Sequence, residues 1–415
     1  MNVPRSAYLH IPFCYKRCFY CDFAVVPVGG KHKQSFDSPN PLIDSYLNLL
    51  EREISLTPEC EPLSTVYIGG GTPSLLTYQE INFLLNILRQ KFGFQPGVEI
   101  TLEIDPASFN KIELEGYIKS GVNRVSLGAQ SFDTNILKEI GRSHDRDDLI
   151  QSCSWIREFF EKGELKSWNL DLIQSLPSQD CKSWEDQINQ AIRTAVPHLS
   201  IYDLSIEPGT AFANWDLLGK LNLPNEESSW QMMRSTSSML REAGFARYEI
   251  SNFSLPGHPS RHNRVYWNGS GWWGFGQGAT SAPWGLRFMR PKTFNEYRSW
   301  VFQQEQEGIH SSLISSNARP MPLDELLIVG LRRREGVELY SMFRDWGWSK
   351  TQCEIYIKSL ISKWLPSIQN GLLIQNGFRF YLTDPEGMNL SNEVLVQMML
   401  WWESLPNDAV EPSIS

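Results

Sequence analysis

The chain has 415 residues, of which 41% are hydrophobic and 20% are charged, so it is long enough for two or three folded domains and is not a disordered protein. Its formal net charge of −9 disfavours generic nucleic-acid binding, which depends on a surplus of Lys and Arg. No apolar run approaches the roughly 18 residues of a membrane-spanning helix, and the N-terminus lacks the apolar segment of a signal peptide, so we expect a cytoplasmic protein.

Short apolar runs, typical of buried strands, alternate with amphipathic helical patterns in the first half of the chain. The predicted strands span residues 7–13, 65–68, 98–104, 124–127, 168–173 and 199–204. The predicted helices span residues 42–56, 78–92, 114–119, 135–140, 149–160 and 184–195. Six strands that alternate with helices indicate an α/β protein whose parallel sheet closes fully or partly into a (βα)6 barrel of the TIM type.

The remaining sequence predicts two further regions. Residues 267–284 are rich in Trp and Gly, and we expect loops or short strands there that pack around a flat apolar object or simply cap the barrel. Predicted helices at 324–331, 341–346, 352–361 and 392–401, with a hairpin at 371–382 that turns at Asn376-Gly377, suggest a small winged-helix-like domain. We therefore divide the chain into a barrel core (1–205), a barrel extension (206–310) and a C-terminal domain (311–415).

The charge of the C-terminal domain does not favour DNA. Residues 321–415 contain eight Lys and Arg residues and twelve Asp and Glu residues, a net charge of −4. The only basic run is Arg332-Arg333-Arg334, and Glu335 follows it directly. We predict a structural or protein-contact role for this domain.

Polar residues occur where the predicted barrel strands end. Because the carboxyl ends of parallel strands meet at one face of a barrel, we expect these residues to share a site. Any one of them alone would be explained equally well by a satisfied hydrogen bond in the core. In chain order they are the residues after the first strand, the segment 69–72, Glu103, Gln130, Asp171 and Tyr202.

Three of the seven cysteines, Cys14, Cys18 and Cys21, fall within eight residues directly after the first strand. Zinc would need a fourth ligand, for which His10 and His32 are the nearest candidates. An iron–sulfur cluster held by three thiolates would keep one iron open for a ligand, and the spacing favours this reading. We interpret the others as ordinary free thiols: Cys60, Cys153, Cys181 and Cys353.

The spacing Cys14-x3-Cys18-x2-Cys21, with Gly69-Gly70-Gly71-Thr72-Pro73 after the next strand, resembles the radical S-adenosylmethionine (SAM) superfamily. That resemblance implies a [4Fe–4S] cluster whose open iron chelates SAM and whose reduction cleaves SAM to a 5′-deoxyadenosyl radical. The segments 8–14, 103–106, 128–132, 141–144 and 171–173 further resemble the oxygen-independent coproporphyrinogen III dehydrogenase group. The resemblance assigns the three cysteines to the cluster and the following residues to SAM: Tyr8, Tyr20, Gly70, Gly71, Thr72, Glu103, Gln130, Arg142 and Asp171.

That group contains a decarboxylating enzyme of heme biosynthesis and the HemW-type heme chaperones. Three features are similar to the chaperones: Phe23 stands where the enzyme has a further cysteine, only 13 residues precede Cys14, and residues 262–267 match the motif H-N-x-x-Y-W. The resemblance implies a protein that binds heme and delivers it to respiratory membrane enzymes through transient contacts. The alternatives are a coproporphyrinogen III oxidase and a zinc-stabilised barrel without radical chemistry.

His262 is the candidate axial ligand of heme in this resemblance, although a hydrogen-bonded loop histidine would explain it equally well. Tyr266 and Trp267 offer aromatic faces for a porphyrin, and the candidate partners of its propionates are Arg261, Arg264 and Arg287. The chain departs from its relatives at Gln174 and Ser175, which are usually tyrosine and glycine, and at Asp203, which is usually uncharged. We expect these departures to alter the substrate side of the pocket.

Overall fold

The computed structural model describes residues 3–29, 40–308 and 319–410. Its strands, in chain order, are β1 (Ser6–Ile11), β2 (Phe13–Cys14), β3 (Val26–Pro27), β4 (Leu63–Gly70), β5 (Phe94–Ile104), β6 (Arg124–Gln130), β7 (Ser167–Gln174), β8 (His198–Asp203), β9 (Ala246–Arg247), β10 (Asn252–Ser254), β11 (Trp273–Phe275), β12 (Thr280–Ser281), β13 (Leu286–Met289), β14 (Arg319–Pro320), β15 (Val337–Glu338), β16 (Leu373–Asn376) and β17 (Arg379–Leu382).

The α-helices are α1 (Pro41–Leu56), α2 (Tyr78–Phe92), α3 (Lys111–Ser120), α4 (Thr134–Glu139), α5 (Arg146–Glu161), α6 (Cys181–Arg193), α7 (Ala211–Leu217), α8 (Glu226–Glu242), α9 (Arg261–Trp267), α10 (Phe294–Glu307), α11 (Leu323–Leu331), α12 (Leu339–Trp346), α13 (Lys350–Gln369), α14 (Glu386–Asn389), α15 (Ser391–Glu403) and α16 (Asn407–Val410). Within the described ranges, none of these helices has the length and apolar character that crossing a membrane requires.

The main sheet contains nine strands in the order β11-β1-β4-β5-β6-β7-β8-β10-β9. The six predicted strands form its centre, are parallel and follow one another in chain order, so the predicted α/β fold with a partial (βα)6 barrel is confirmed. Strand β11, from the Trp-rich segment, adds a parallel partner to β1 at one edge. The antiparallel strands β10 and β9 form the opposite edge, which leaves the barrel open.

Helix α2 shows why the sequence pattern predicts these helices well. Thr77 caps its N-terminus in a capping box with Glu80, and the helix ends at Gly93, so its ends lie where the sequence analysis places them. Its buried side chains recur at helical spacing and pack on the barrel core: Ile81, Leu84, Leu85, Leu88 and Phe92.

The region 205–284, in which the sequence predicts only loops or short strands at 267–284, contains regular structure. It contains the 17-residue helix α8, which buries Met232, Thr236, Ser237 and Leu240 and contacts α6. Two of these four buried side chains are hydroxyls, so the apolar stripe that identifies a helix from sequence is incomplete.

The C-terminal region has a separate hydrophobic core, formed by α11–α16 and the three-stranded sheet β15-β17-β16. The predicted hairpin is present, but its turn lies one residue later than predicted, since Asn376 pairs with Arg379 and the loop residues are Gly377 and Phe378. Helices combined with a small antiparallel sheet confirm the winged-helix-like character of this region. The boundary at 205 stays a prediction, and the boundary at 310 lies outside the described residues.

Candidate functional site

The three clustered cysteines lie on a closed loop at the carboxyl end of β1. Strand β2 pairs in parallel with β3, and within the loop the Cys21 amide donates to the Cys18 carbonyl (3.2 Å) while Arg17 Nε donates to the Cys21 carbonyl (2.9 Å). Burial, reinforced by Cys18 and Cys21, raises the pKa of the Cys14 thiol to about 12. A bound cation would reverse this effect, because metal binding favours the thiolate.

The glycine segment after β4 packs directly on the cysteine strand. The Gly71 amide donates to the Ile11 carbonyl (2.8 Å) and the Thr72 amide to the Phe13 carbonyl (2.7 Å). A Cβ atom at Gly71 would lie 2.6 Å from the Phe13 carbonyl oxygen, so no larger residue fits. The sequence analysis assigns these glycines to SAM contact; in the structure they bring the two strands together, and SAM contact stays a prediction.

Glu103, at the end of β5, is a buried carboxyl with two donors. It accepts hydrogen bonds from the Tyr67 hydroxyl (2.7 Å) and from the Gly70 amide (3.0 Å). Burial, with a smaller contribution from nearby Asp171, raises its pKa to about 7. The carboxyl therefore titrates near neutral pH.

Asp171, on β7 and two residues beyond the register position of Glu103, is held by its own donors. It accepts from the Ser126 hydroxyl (2.8 Å) and the Asn169 amide (2.9 Å). Burial raises its pKa as well. Glu103 and Asp171 line the same cavity.

Arg142 connects the cysteine loop to the ends of β5 and β6. It pairs with Asp105, donates to the Gly128 carbonyl (3.2 Å) and contacts the Cys18 sulfur (3.6 Å). Burial alone would raise the pKa of Asp105, but Arg142 and His144 hold it well below its usual range. The sequence analysis missed Asp105, although it lies two residues after Glu103 in a segment that carries the resemblance.

These residues surround one cavity of about 390 Å³, within the size range of small-molecule sites. All of the predicted cluster and SAM residues line it except Tyr8, whose hydroxyl is hydrogen-bonded to His10 Nδ1 (3.0 Å) behind the cavity. Lining residues that the sequence analysis did not assign to SAM or the cluster include Asp22, Phe23, Asp105, Tyr202, Asp203 and Glu207.

Gln130, in the cavity wall, has two features that indicate a ligand site. Gln130, at the end of β6, adopts a left-handed φ of 55°, and its buried Oε1 has no hydrogen-bond partner. Strained backbone and unpaired buried polar atoms are typical of binding sites. The donor set of thiols, carboxyls, an amide and a guanidinium therefore fits a [4Fe–4S] cluster with SAM.

The candidate ligands of a single zinc ion are not assembled in the structure. Within the described residues, no group of three or more His, Cys, Asp or Glu side chains is placed to hold a metal ion, and this includes the three clustered cysteines, so the geometry does not separate zinc from a cluster. His10, a candidate fourth ligand, is hydrogen-bonded through Nε2 to the Ala24 carbonyl (3.1 Å). His32 lies outside the described residues.

The four isolated cysteines are free thiols and lie away from this cavity, as the sequence analysis expects. Asp203, one of the departures, accepts from the Ser175 hydroxyl (2.7 Å) and from Gln174 Nε2 (3.2 Å). The three departures from the relatives therefore form one hydrogen-bonded group. Asp203 lines the cavity, and the effect of this group on the substrate side of the pocket stays a prediction.

His262 lies on α9 outside this cavity and is fully buried. Its Nδ1 is hydrogen-bonded to Thr65 Oγ1 (2.8 Å) and its Nε2 to the Tyr266 hydroxyl (2.8 Å). Because the Thr65 hydroxyl donates to Ser6 Oγ (2.9 Å), Nδ1 carries the proton and Nε2 accepts from Tyr266. Burial lowers the pKa of His262 to about 3, so the ring is neutral. Iron could therefore reach Nε2 only by displacing the Tyr266 hydroxyl.

Comparison with known proteins adds three findings. Residues 8–169 match the family model of the Radical SAM superfamily. The chain is 38% identical over 412 residues to "Heme chaperone HemW" of Synechocystis, covering 95% of this chain and 96% of that protein. It is 32% identical over 401 residues to the protein of the same name in Lactococcus lactis, covering 96% and 98%.

One solved structure is similar over nearly the whole chain. It is described as coproporphyrinogen III oxidase (HemN) from Escherichia coli, a radical SAM enzyme, and it superimposes with a TM-score of 0.75 over 96% of this chain and 90% of that one. The sequence identity is 21%, so this similarity shows a shared fold.

Proposed function

The chain belongs to the HemW family of the radical SAM superfamily, and on that premise we propose that it is a heme chaperone, which binds heme and passes it to heme-dependent acceptor proteins. The observation that carries the proposal is the single cavity in which three clustered cysteines meet Glu103, Gln130, Arg142 and Asp171. The similarity to HemW proteins over nearly the full length of the chain supports the heme-related part.

We propose that Cys14, Cys18 and Cys21 hold a [4Fe–4S] cluster beside bound SAM. When bound, such a cluster would supply the electron for SAM cleavage and an anchoring point for SAM in the cavity. The side chains of Glu103 and Asp171 accept hydrogen bonds from ribose hydroxyls or an ammonium group, and Gln130 can both donate and accept. Arg142 places its positive charge 3.6 Å from the Cys18 sulfur, where it would lie beside the bound cluster.

The acceptors that we propose are respiratory proteins at the membrane, which the chain would contact transiently. His262 stays our candidate for the heme iron, with the displacement of Tyr266 as a requirement. A cytoplasmic location also stays a prediction.

The test is an anaerobic comparison of two substrates. Reconstituted, reduced protein is incubated with SAM and coproporphyrinogen III, and 5′-deoxyadenosine and porphyrin products are followed by mass spectrometry; heme binding is titrated in parallel by absorbance. We expect stoichiometric heme binding, transfer to a heme-free acceptor and no decarboxylation. Many turnovers to protoporphyrinogen would instead identify a coproporphyrinogen III oxidase. Metal and sulfide analysis of the same anaerobic preparation completes the test: zinc without sulfide would exclude radical chemistry.

A further inference from the structure

The cysteine loop is anchored from behind at Ala24, three residues after the last of the clustered cysteines. The Ala24 carbonyl accepts hydrogen bonds from His10 Nε2 (3.1 Å) and from Gln277 Nε2 (3.4 Å). The two neighbours of Ala24 in the chain, Phe23 and Val25, line the cavity. The position of Ala24 therefore determines where the chain that follows the third cysteine enters the cavity wall.

Both donors at the Ala24 carbonyl are fixed by further hydrogen bonds. Burial lowers the pKa of His10, so its ring carries one proton. That proton is on Nε2, because a carbonyl oxygen can only accept, and Nδ1 therefore accepts from the Tyr8 hydroxyl (3.0 Å). Gln277 is 2% exposed, and its Nε2 also donates to the Lys292 carbonyl (3.2 Å). Two buried side chains, one from β1 and one from the segment after β11, thus meet at one carbonyl of the cysteine loop.

Gln277 lies between two glycines that bring this segment of the Trp- and Gly-rich region against the cysteine loop. Gly278 adopts a left-handed φ of 70°, and a Cβ atom there would lie 3.0 Å from the Ala24 Cβ. At Gly276 a Cβ atom would overlap the Tyr46 hydroxyl. A larger residue at either position would push the segment away from its neighbours, so the absence of side chains permits the close contact with the loop.

Buried groups outside the cysteine cavity hold this segment in place. The Gly276 amide donates to Glu53 Oε2 (2.9 Å), and Glu53 belongs to a fully buried ion pair. The Gln277 amide donates to the Tyr46 hydroxyl (3.1 Å), which itself donates to the His10 carbonyl (2.7 Å). The contact between Gln277 and the cysteine loop is therefore part of a hydrogen-bonded wall that also includes the end of β1.

We propose that Gln277 is a positioning residue of the cysteine loop: through the Ala24 carbonyl it fixes the chain directly after Cys21 and so holds the third ligand of the cluster in place. This role rests on the cluster that the proposed function assigns to the three cysteines. Hydrogen bonds that orient metal ligands from outside affect metal affinity strongly, although they do not touch the metal. The Trp- and Gly-rich region thereby contributes to cluster binding and does not only close the barrel.

The test measures how fast the reconstituted, anaerobic protein loses its cluster. Iron release to a ferrous chelator is followed by absorbance for the unmodified protein and for Gln277→Met, which keeps the length of the side chain but removes both donor hydrogens. We expect release about tenfold faster, the lower end of the effect of such hydrogen bonds, and a changed electron paramagnetic resonance spectrum of the reduced cluster. Unchanged release and an unchanged spectrum would overturn the positioning role. An unmodified protein that retains neither iron nor sulfide would instead overturn the cluster assignment itself.

Two further variants separate positioning from a general loss of stability. Gly278→Ala pushes on Ala24 without removing a hydrogen bond, and it should also accelerate iron release. Gln397→Met is the matched control, because it removes a glutamine hydrogen bond to Ser367 (3.0 Å) in the C-terminal region and should leave iron release unchanged. Thermal unfolding of each variant is followed by circular dichroism. Faster release at an unchanged unfolding temperature supports the role of Gln277, whereas release that follows the unfolding temperature in all three variants would show that Gln277 is only structural.

Discussion

Removing Arg290 should destabilise the protein far more than removing an exposed arginine from the same region. Arg290 Nε pairs with Glu53 Oε1 at 2.7 Å, and neither side chain is exposed to solvent. Glu53 Oε2 also accepts from the Tyr297 hydroxyl (2.6 Å) and the Gly276 amide (2.9 Å). The variant Arg290→Met keeps the apolar stem of the side chain but leaves a buried carboxylate without its countercharge, which costs about 3–5 kcal/mol of unfolding free energy.

The matched control is Arg52→Met. Arg52 on α1 pairs with Glu305 on α10 at 2.5 Å, one residue along the helix from Glu53, but the two side chains are 41% and 30% exposed. A screened pair of this kind contributes about 1 kcal/mol or less. Urea unfolding followed by tryptophan fluorescence measures both variants, and adding Glu53→Gln to Arg290→Met should recover part of the loss. Similar small losses for Arg290→Met and Arg52→Met would refute the reasoning that burial decides the strength of the pair.

Three further predictions concern the candidate sites. Cys18→Ser should abolish the visible absorbance of the cluster and leave far-ultraviolet circular dichroism unchanged, whereas Cys60→Ser should retain the cluster; a full cluster in the first variant would contradict the ligand assignment. Gly71→Ala should lower the iron and sulfide content, because its Cβ would lie 2.6 Å from the Phe13 carbonyl oxygen, and normal cluster content would show that the strands can separate. Since burial lowers the pKa of His262 to about 3, the unfolded chain binds a proton below about pH 6.5 that the folded chain does not; stability should therefore fall as the pH decreases from 6.5 towards 3, and His262→Gln should reduce that slope in urea titrations at several pH values.

The sequence predicts the barrel well because its signals are local. Helix α2 begins after the capping box of Thr77 and Glu80 and ends at Gly93, so both ends can be identified from the residue pattern. The six parallel strands are apolar runs that are long enough to be distinguished from the segments before and after them in the sequence. Helix α13, in contrast, continues through Pro366 to Gln369, eight residues beyond the predicted end, because its buried face includes Trp364 and packs on α15. Such tertiary packing is not visible in a local pattern.

The candidate functional residues also differ in how well the sequence predicts their positions. Glu103, Gln130 and Asp171 are predictable because each lies near the end of a strand whose position in the sheet is predictable. Arg142 follows α4 instead and is indicated only by the resemblance. The position of His262 is not, since burial and the bonds to Thr65 and Tyr266 depend on how α9 packs on β4. The pairing of Arg332 with Trp267 joins residues 65 positions apart in two separately predicted regions, and no pattern in either region indicates it.

Tyr67 shows that the cysteine cavity and the HNxxYW helix are not independent sites. Its hydroxyl donates to Glu103 in the cavity wall (2.7 Å), while its ring stacks on the imidazole of His262 with 5.1 Å between the ring centres. A ligand that forms a hydrogen bond with Glu103 in place of Tyr67 leaves the Tyr67 hydroxyl without its acceptor. A rotation of the Tyr67 side chain towards a new acceptor would also move the ring on which the His262 imidazole stacks. Freeing His262 Nε2 for iron requires the Tyr266 hydroxyl to move on the other side of the same imidazole. Occupancy of the cavity and exposure of His262 therefore involve one contiguous group of side chains. In the proposed function, this group would give SAM binding a physical route to influence heme binding even if SAM is never cleaved.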